Sequence, residues 1–104
     1  MKQLLIVVKP FRAQAVLQAL AEMGIPAGVV CEAKGYGRQK SYLERYAGSE
    51  YSLAFLPKVE ISAWADDALA EQAAEQIARI ARTGRIGDGK VFVLDIASLE
   101  ALEF

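Results

Sequence analysis

Residues 2–31 of the chain read KQLLIVVKPFRAQAVLQALAEMGIPAGVVC, and this stretch decides the fold because it predicts a strand, a helix and a second strand. The unbroken apolar run from Leu4 to Val8 predicts a strand that is covered on both faces. Pro10 stands where a helix can begin, since the first helical turn does not use its missing N–H. Apolar residues then recur at helical spacing, Gly24 is a typical helix stop, and a second strand is predicted over residues 25–33.

The second half of the chain repeats this order. Alternating apolar and polar residues predict a third strand over residues 58–64. Asp66 or Asp67 is expected to cap a second helix, which carries an apolar stripe. A fourth strand is predicted over residues 91–95, and a short last helix over residues 98–104.

Two βαβ units in this order predict an α+β fold, the ferredoxin-like βαββαβ sandwich, with four antiparallel strands and both helices on one face. We expect residues 1–104 to form a single domain. The segment of about residues 36–55, between strands 2 and 3, has no regular pattern. Loops longer than about 12–15 residues are uncommon in compact domains and are typically functional or disordered.

The apolar content of the chain predicts self-association. Hydrophobic residues make up 54% of the sequence, more than the roughly 45–50% of an average soluble domain. The helices cover one face of the predicted sheet, but the strands are apolar on both sides. A second copy of the chain is therefore expected to cover the other face, which predicts a homo-oligomer without fixing its order.

Charge and length exclude several classes of function. The net charge of -1, from 12 basic and 13 acidic residues, argues against binding to nucleic acid or to an anionic membrane. The apolar run at residues 4–8 is too short to cross a bilayer, and it lacks the features of a signal peptide. We therefore expect a cytoplasmic protein without direct membrane insertion. Cys31, the single cysteine, suits a reducing compartment, and its apolar neighbours predict a buried, inert thiol.

The absence of certain residue types argues against catalysis. The sequence has no His, which removes the usual general base and the commonest zinc ligand. It also has no Asn for acylphosphatase-type chemistry and no CxxC motif for a metal chaperone. We therefore expect that the protein is not an enzyme, because no nucleophile–base pair can be assembled from these residues.

Two glycine-rich loops are candidates for binding phosphate. Residues 84–90, GRIGDGK, satisfy the pattern G-x-x-x-x-G-K, in which backbone N–H groups converge on an anion and Lys90 adds a charge. Against a true P-loop, Val91 stands where Ser or Thr would reach Mg²⁺, and the loop runs from a helix to a strand. A plain tight turn is the alternative. Residues 35–40, GYGRQK, form a second such turn at a strand end, and the two loops together favour a phosphate site.

Five blocks of the sequence match the signature of a known family in residues and in spacing. They are KPF at 9–11, KGYGRQK at 34–40, residues 46–51, FLPKV at 55–59 and TGRIGDGKVFV at 83–93. In these blocks the chain resembles the PII nitrogen-regulatory family of signal-transduction proteins. The similarity extends over nearly the whole chain apart from its C-terminal end.

The resemblance implies a homotrimer of ferredoxin-like subunits that binds ATP or ADP in the clefts between neighbours. The nucleotide-binding residues carried over by position are Gly35, Gly37, Arg38, Gln39, Gly87, Asp88, Gly89 and Lys90. In the family, the residue at the Gln39 position ligates Mg²⁺. The ligand 2-oxoglutarate binds that ion with help from the lysine at the Lys58 position.

The long loop would then be the T-loop of the family, which changes shape with the ligand and docks on a partner protein. The partner expected from the resemblance is a regulated protein such as a membrane transporter or a metabolic enzyme. Tyr51 stands where the family carries a tyrosine that is modified. Ala47 replaces the usual basic residue between Tyr46 and Gly48, which disfavours this modification.

Some positions depart from the family pattern. Ala101 and Glu103 stand where arginines usually clamp the phosphates, which should weaken ATP binding. A preference for ADP or AMP, weak binding of every nucleotide and the use of other contacts are the alternatives. Ser62 replaces a usual glutamate, and Val29 replaces a threonine that usually helps to hold the base. We interpret the chain as a divergent PII-like paralogue. The alternative is a trimeric scaffold that senses nothing and binds a partner constitutively.

Overall fold

The computed structural model describes residues 1–35, 56–84 and 88–98. The elements along these ranges are β1 (Lys2–Val8), α1 (Pro10–Glu22), β2 (Ala27–Gly35), β3 (Leu56–Ala65), α2 (Asp67–Ala81) and β4 (Gly89–Asp95). Their order confirms the predicted βαββαβ succession. The predicted long loop over residues 36–55 lies outside the described residues, as does the predicted last helix apart from Ser98.

The four strands form one sheet in the order β2-β3-β1-β4, and every neighbouring pair is antiparallel. Strand β1 lies in the middle: Ile6 is paired with Ile61 of β3 on one side and with Val91 of β4 on the other. This is the ferredoxin-like arrangement. The predicted fold class is therefore confirmed.

The hydrophobic core lies between the two helices and one face of the sheet. Alternate residues of β1 point into it, as the two-residue period of a strand requires. The core side chains that are almost fully buried are Leu4, Ile6, Val8, Val16, Leu20, Ile25, Ile61, Ala63, Ala70, Ala73 and Ile77. Burial of each large aliphatic side chain stabilises the fold by about 1.5–3 kcal/mol.

Both helices begin where the sequence predicts. Pro10 is the first residue of α1, and Asp66 caps α2 with an Oδ1 that accepts a 2.8 Å hydrogen bond from the N–H of Leu69. Helix α1 ends at Glu22, shortly before Gly24, whose φ of 75° is a conformation that glycine adopts without penalty. No helix in the described part of the chain is long and apolar enough to span a membrane.

Strands β2, β3 and β4 differ from their predicted bounds, and β3 runs over Leu56–Ala65 and not only over residues 58–64. Strand β2 begins at Ala27 and not at Ile25, because the N–H of Ile25 donates a 2.9 Å hydrogen bond to the carbonyl of Leu20. Ile25 therefore belongs to the connection that follows α1, with its side chain in the core. Strand β4 begins earlier than predicted, at Gly89, which already pairs with Val8 of β1.

The face of the sheet that points away from the helices is partly apolar; we call it the open face. Its large apolar side chains, assigned from strand alternation and register, are Leu5, Val7, Val29, Trp64, Phe92 and Leu94. Val29 is 52% exposed and Phe92 is 43% exposed. Clustered apolar groups at a protein surface favour a covering partner, in agreement with the pattern of the sequence.

The expectation of a buried Cys31 thiol is wrong. Cys31 lies on the open face, pairs with Glu60 of β3 and is exposed. Its Sγ lies 3.4 Å from Oε2 of Glu60, and the hydrogen bond to this carboxylate raises the pKa of the thiol. Apolar neighbours in sequence point to both faces of a strand, so they do not show which face the cysteine occupies.

Candidate functional site

The turn between α2 and β4 is held together by the carboxylate of Asp88. Its Oδ2 accepts hydrogen bonds from the N–H of Thr83 at 2.7 Å and from the N–H of Gly84 at 3.1 Å. Its Oδ1 accepts a hydrogen bond from the hydroxyl of Thr83. One side chain therefore joins the two ends of the GRIGDGK loop, whose residues 85–87 lie outside the described ranges.

Two buried lysines stand behind this turn. Lys9 directly follows β1, and its Nζ lies 3.4 Å from Oδ1 of Asp88; Lys9 and Lys58 are each only 8% exposed. Hydrogen bonds from Thr83, aided by those of Lys9 and Gly84, lower the pKa of Asp88 to about 2. Burial lowers the pKa of Lys58, and the charge of Lys9 adds to this effect. The ammonium groups of Lys9 and Lys58 therefore both lie near the carboxylate of Asp88.

Gly89 begins β4 in a conformation that suits glycine alone. Its φ is 132°, and a Cβ at this position would lie within 3.0 Å of the carbonyl oxygen of Val7, closer than real Cβ atoms come. The close approach of β4 to β1 therefore requires this glycine even without a ligand. The glycine at position 89 is therefore explained by the packing of β4 against β1, in addition to the predicted binding of phosphate.

A cavity of about 580 Å³ lies beside the turn, between α2 and β4. Arg82 and Lys90 contribute positive charge to its lining, and Glu71 and Glu75 of α2 contribute negative charge. A second depression, of about 460 Å³, is lined by residues of β2 and β3 that include Lys58. Cations therefore border both hollows, which lie toward opposite edges of the sheet.

The structure describes half of the predicted site residues. Those within the described ranges are Gly35, Lys58, Asp88, Gly89 and Lys90. Those outside them are Gly37, Arg38, Gln39, Tyr51 and Gly87. Of the described set, Lys58 and Asp88 belong to one buried charge cluster with Lys9.

The two glycine motifs lie at the same end of the sheet but at opposite edges. Gly35 ends β2, the strand at one edge, and Gly89 begins β4, the strand at the other edge, beside Val8 of β1. Three strand spacings of about 4.8 Å separate these edges, roughly 14 Å in all. The fold of one chain therefore keeps Gly35 and Gly89 apart, and a phosphate group that touches both of these residues needs two copies of the chain.

The family model described as nitrogen regulatory protein P-II matches residues 1–102. The chain belongs to this family. It is 51% identical over 96 residues to a nitrogen regulatory protein P-II of Rhodospirillum rubrum, which covers 92% of this chain and 86% of that protein. It is 50% identical over 96 residues to the P-II protein of Azospirillum brasilense, with the same coverage. Identity to nitrogen regulatory protein P-II 1 of Escherichia coli K12 is 47% over 97 residues, which cover 93% of this chain and 87% of that one.

The resemblance to the PII family is confirmed by these matches, and the family is regulatory rather than catalytic. The P-II match also explains why GRIGDGK departs from the P-loop pattern, since the loop belongs to a different fold. It does not by itself assign a ligand to this chain.

Sequence reasoning on this P-II chain missed Lys9 and Thr83 as parts of the site. Both residues stand in blocks that match the family, but neither was given a role. The position of Lys9 in the sequence could have indicated its role, because a lysine that directly follows a fully apolar strand lies at the end of the sheet. The pairing of Lys9 with Asp88 joins residues from opposite ends of the chain, and no spacing rule predicts such a contact.

Two residues that the resemblance singled out as departures from the family pattern face each other. Val29 of β2 pairs with Ser62 of β3, and both lie on the open face. Next to them the ring of Trp64 lies over Gly28, so close that a Cβ on Gly28 would come within 3.0 Å of it. This part of the open face therefore carries the side chain of Val29, the hydroxyl of Ser62 and the ring of Trp64.

Among the residues that the structure describes, no group of three His, Cys, Asp or Glu side chains could hold a metal ion. A Mg²⁺ ion at this site would depend on Gln39, which lies outside the described residues, and on oxygen atoms of a ligand.

Proposed function

We propose that the chain is a signal-transduction protein that senses adenine nucleotides in the clefts between the subunits of a homotrimer. Ligand binding would shift the populations of the T-loop, residues 36–55, and the T-loop would regulate a partner protein. A membrane transporter or a metabolic enzyme is the kind of partner that we propose. The proposal places the protein in the cytoplasm, where the single thiol of Cys31 suits a reducing compartment. It includes no catalytic step and no modification of Tyr51.

The observation that carries the proposal is the position of the two glycine motifs. Gly35 and Gly89 lie at the same end of the sheet and at opposite edges. When two copies pack side by side, the β2 end of one copy can lie beside the β4 start of the next. Such a head-to-tail contact generates a ring when the rotation between neighbouring copies closes, and an open filament when it does not. A trimer is a ring of this kind, with one cleft for each pair of neighbours.

The open face supports the same assembly. Its exposed apolar side chains include Val29, Phe92 and Leu94, and no second layer of the described chain covers them. Three open faces that meet at a common axis would bury these groups. Each buried CH₂ group would then contribute about 0.8 kcal/mol.

The charges around the turn support phosphate as the ligand group. Lys90 and Arg82 line the cavity beside the turn, and Asp88 is neutralised by its donors and by Lys9. We propose that ADP or AMP binds better than ATP. The C-terminal segment carries Ala101 and Glu103 where the family pattern supplies arginines, so fewer cations are available for a third phosphate.

The proposal extends to Mg²⁺ and 2-oxoglutarate. Lys58 is buried and its pKa is lowered, so a dicarboxylate beside it would stabilise the ammonium form and raise that pKa. Gln39 would ligate Mg²⁺ together with phosphate oxygens, and the bound ion would neutralise part of the phosphate charge.

Isothermal titration calorimetry of ATP, ADP and AMP, each with and without Mg²⁺ and 2-oxoglutarate, tests the sensing function. Light scattering after size-exclusion chromatography measures the oligomer. We expect a trimer that binds at least one of these nucleotides with micromolar affinity. Lys90→Gln should weaken that binding on the order of tenfold, since it removes one charge-assisted contact. The matched control is Arg79→Gln, an exposed cation of α2 outside the cavity lining, which should bind like the wild type.

Each alternative result has a definite meaning. A folded trimer that binds no adenine nucleotide contradicts the sensing function and supports a constitutive scaffold. A monomer contradicts the cleft between subunits whether or not it binds. Equal losses in Lys90→Gln and Arg79→Gln contradict a specific role for Lys90.

A further inference from the structure

The carboxylate of Asp88 has no acceptor site left for a ligand. Its Oδ2 accepts from the N–H groups of Thr83 and Gly84, and its Oδ1 accepts from the hydroxyl of Thr83 and faces Nζ of Lys9 at 3.4 Å. A carboxylate offers about four acceptor sites, and these four donors occupy them. The side chain therefore accepts hydrogen bonds from the protein itself and does not bind a metal ion or a ribose hydroxyl.

These bonds determine where the GRIGDGK loop begins and ends. At the start, the N–H groups of Thr83 and Gly84 are used by Asp88, and Gly84 has a φ of 81°. At the end, Gly89 lies against the carbonyl of Val7 in a conformation that no other residue adopts easily. Groups that are fixed before binding lose less conformational entropy when a ligand binds.

Lys9 fixes the position of Asp88 from the core side. It is 8% exposed, and a buried ammonium group needs a partner because the loss of its hydration is costly. It lies at the end of β1, the central strand, so its position is determined by the sheet and not by the loop. The neighbouring charge of Lys58 makes this requirement stronger, because two ammonium groups repel each other.

We propose that Asp88 and Lys9 are positioning residues for the phosphate loop. The carboxylate of Asp88 makes no contact with the nucleotide. Held by Lys9, it fixes Thr83 and Gly84 against the start of β4 and so positions Gly89 and the ammonium group of Lys90 for the phosphates. This inference rests on the proposed function, and it replaces the direct contact that the resemblance implied for Asp88.

The test compares Asp88→Asn and Lys9→Met with Asp95→Asn. The first variant keeps the shape of the side chain but offers one acceptor oxygen in place of two. Asp95 is a matched control because it is an aspartate at the far end of β4, where it pairs with Lys2 at the surface. Two quantities are measured: hydrogen exchange of the amides of Thr83 and Gly84 without nucleotide, and the dissociation constants of ADP and adenosine.

In Asp88→Asn we expect faster exchange at both amides and a loss of ADP affinity on the order of tenfold to a hundredfold. Adenosine has no phosphate, so its affinity should not change. Lys9→Met should act in the same direction, and Asp95→Asn should change neither quantity. A general loss of structure would weaken adenosine and ADP alike, so the ratio of the two affinities separates positioning from folding.

Four results overturn the inference. They are an unchanged ADP affinity in Asp88→Asn, equal losses for ADP and adenosine, a loss of ADP affinity without faster amide exchange, and an effect of Asp95→Asn as large as that of Asp88→Asn. If Asp88→Asn does not fold, Thr83→Val removes one donor alone and is judged by the same results.

Failure of the proposed function looks different from failure of this inference. A wild-type protein that binds no ADP contradicts nucleotide sensing, and the phosphate role of Asp88 is lost with it. Wild-type binding that Asp88→Asn leaves intact contradicts the positioning role alone.

Discussion

Replacement of Gly89 by alanine should destabilise the fold far more than the same change at Gly24, although both glycines have positive φ. Gly24 has a φ of 75°, and a Cβ there would meet nothing within 4 Å. Gly89 has a φ of 132°, and a Cβ there would overlap the carbonyl oxygen of Val7 and lie 3.1 Å from Cα of Val8. The comparison separates backbone strain from steric overlap.

The expected magnitudes follow from these two terms. Gly24→Ala should cost about 1 kcal/mol, the penalty of a left-handed conformation for an L residue. Gly89→Ala should cost about 1–3 kcal/mol for its backbone conformation, and about 1 kcal/mol for each hydrogen bond lost as the Gly89–Val8 pair opens. With one or two hydrogen bonds lost, the total is about 2–5 kcal/mol, a large part of the roughly 5–15 kcal/mol that stabilises a typical domain.

Urea titration followed by circular dichroism measures both losses. All variants are compared at one protein concentration, because the apparent stability of an oligomer depends on it. Since 1 kcal/mol shifts the melting temperature of a domain of this size by about 4–8 °C, thermal melts should show the same order. Equal losses in Gly24→Ala and Gly89→Ala would refute the close approach of β4 to β1.

Three further predictions concern single contacts, all measured as the free energy of unfolding in urea. Asp66→Ala removes the cap on Leu69 and should cost about 1 kcal/mol; no loss would mean that the cap contributes nothing. The folded-state pKa of Asp88, about 2, lies below its ordinary value of 3.8, so its stabilisation is complete above about pH 4 and is lost as the pH falls toward 2. Stability should therefore fall more steeply in the wild type than in Asp88→Asn, and parallel curves would contradict the bonds of this carboxylate. Gly28→Ala should cost about 1–3 kcal/mol by overpacking against Trp64, and Trp64→Leu should relieve most of that loss; additive losses would show that the two residues do not touch.

The strands and helices were predictable because hydrophobic spacing reports burial directly. The run from Leu4 to Val8 and the alternation around Ile61 gave the central strands, and Pro10 and Asp66 gave the helix starts. The bounds of β2 were less predictable. Ile25 is as apolar as a strand residue, but its N–H donates a hydrogen bond to the carbonyl of Leu20 in α1. The spacing of apolar residues does not indicate a backbone hydrogen bond of this kind.

The candidate site was predictable only in part, because its cluster is assembled by pairing across the sheet. The glycines and Lys90 stand in one short block and could be read together. Lys9 meets Asp88 only because β1 and β4 are neighbours, which the sequence pattern does not specify. The exposure of Cys31 was unpredictable for a related reason. Strand periodicity separates the side chains into two faces, but it does not show which face the helices cover.

The central position of β1 has a consequence for biosynthesis. Lys2 pairs with Ala65 on one side and with Asp95 on the other, so β1 is translated long before either partner strand. Pairings this distant in sequence slow folding, and an unpaired strand edge is a template for association with other chains. During synthesis, one edge of β1 stays open until residues 89–95 have left the ribosome. The nascent chain is therefore the form of this protein most exposed to aggregation, and the stage at which a chaperone would protect it.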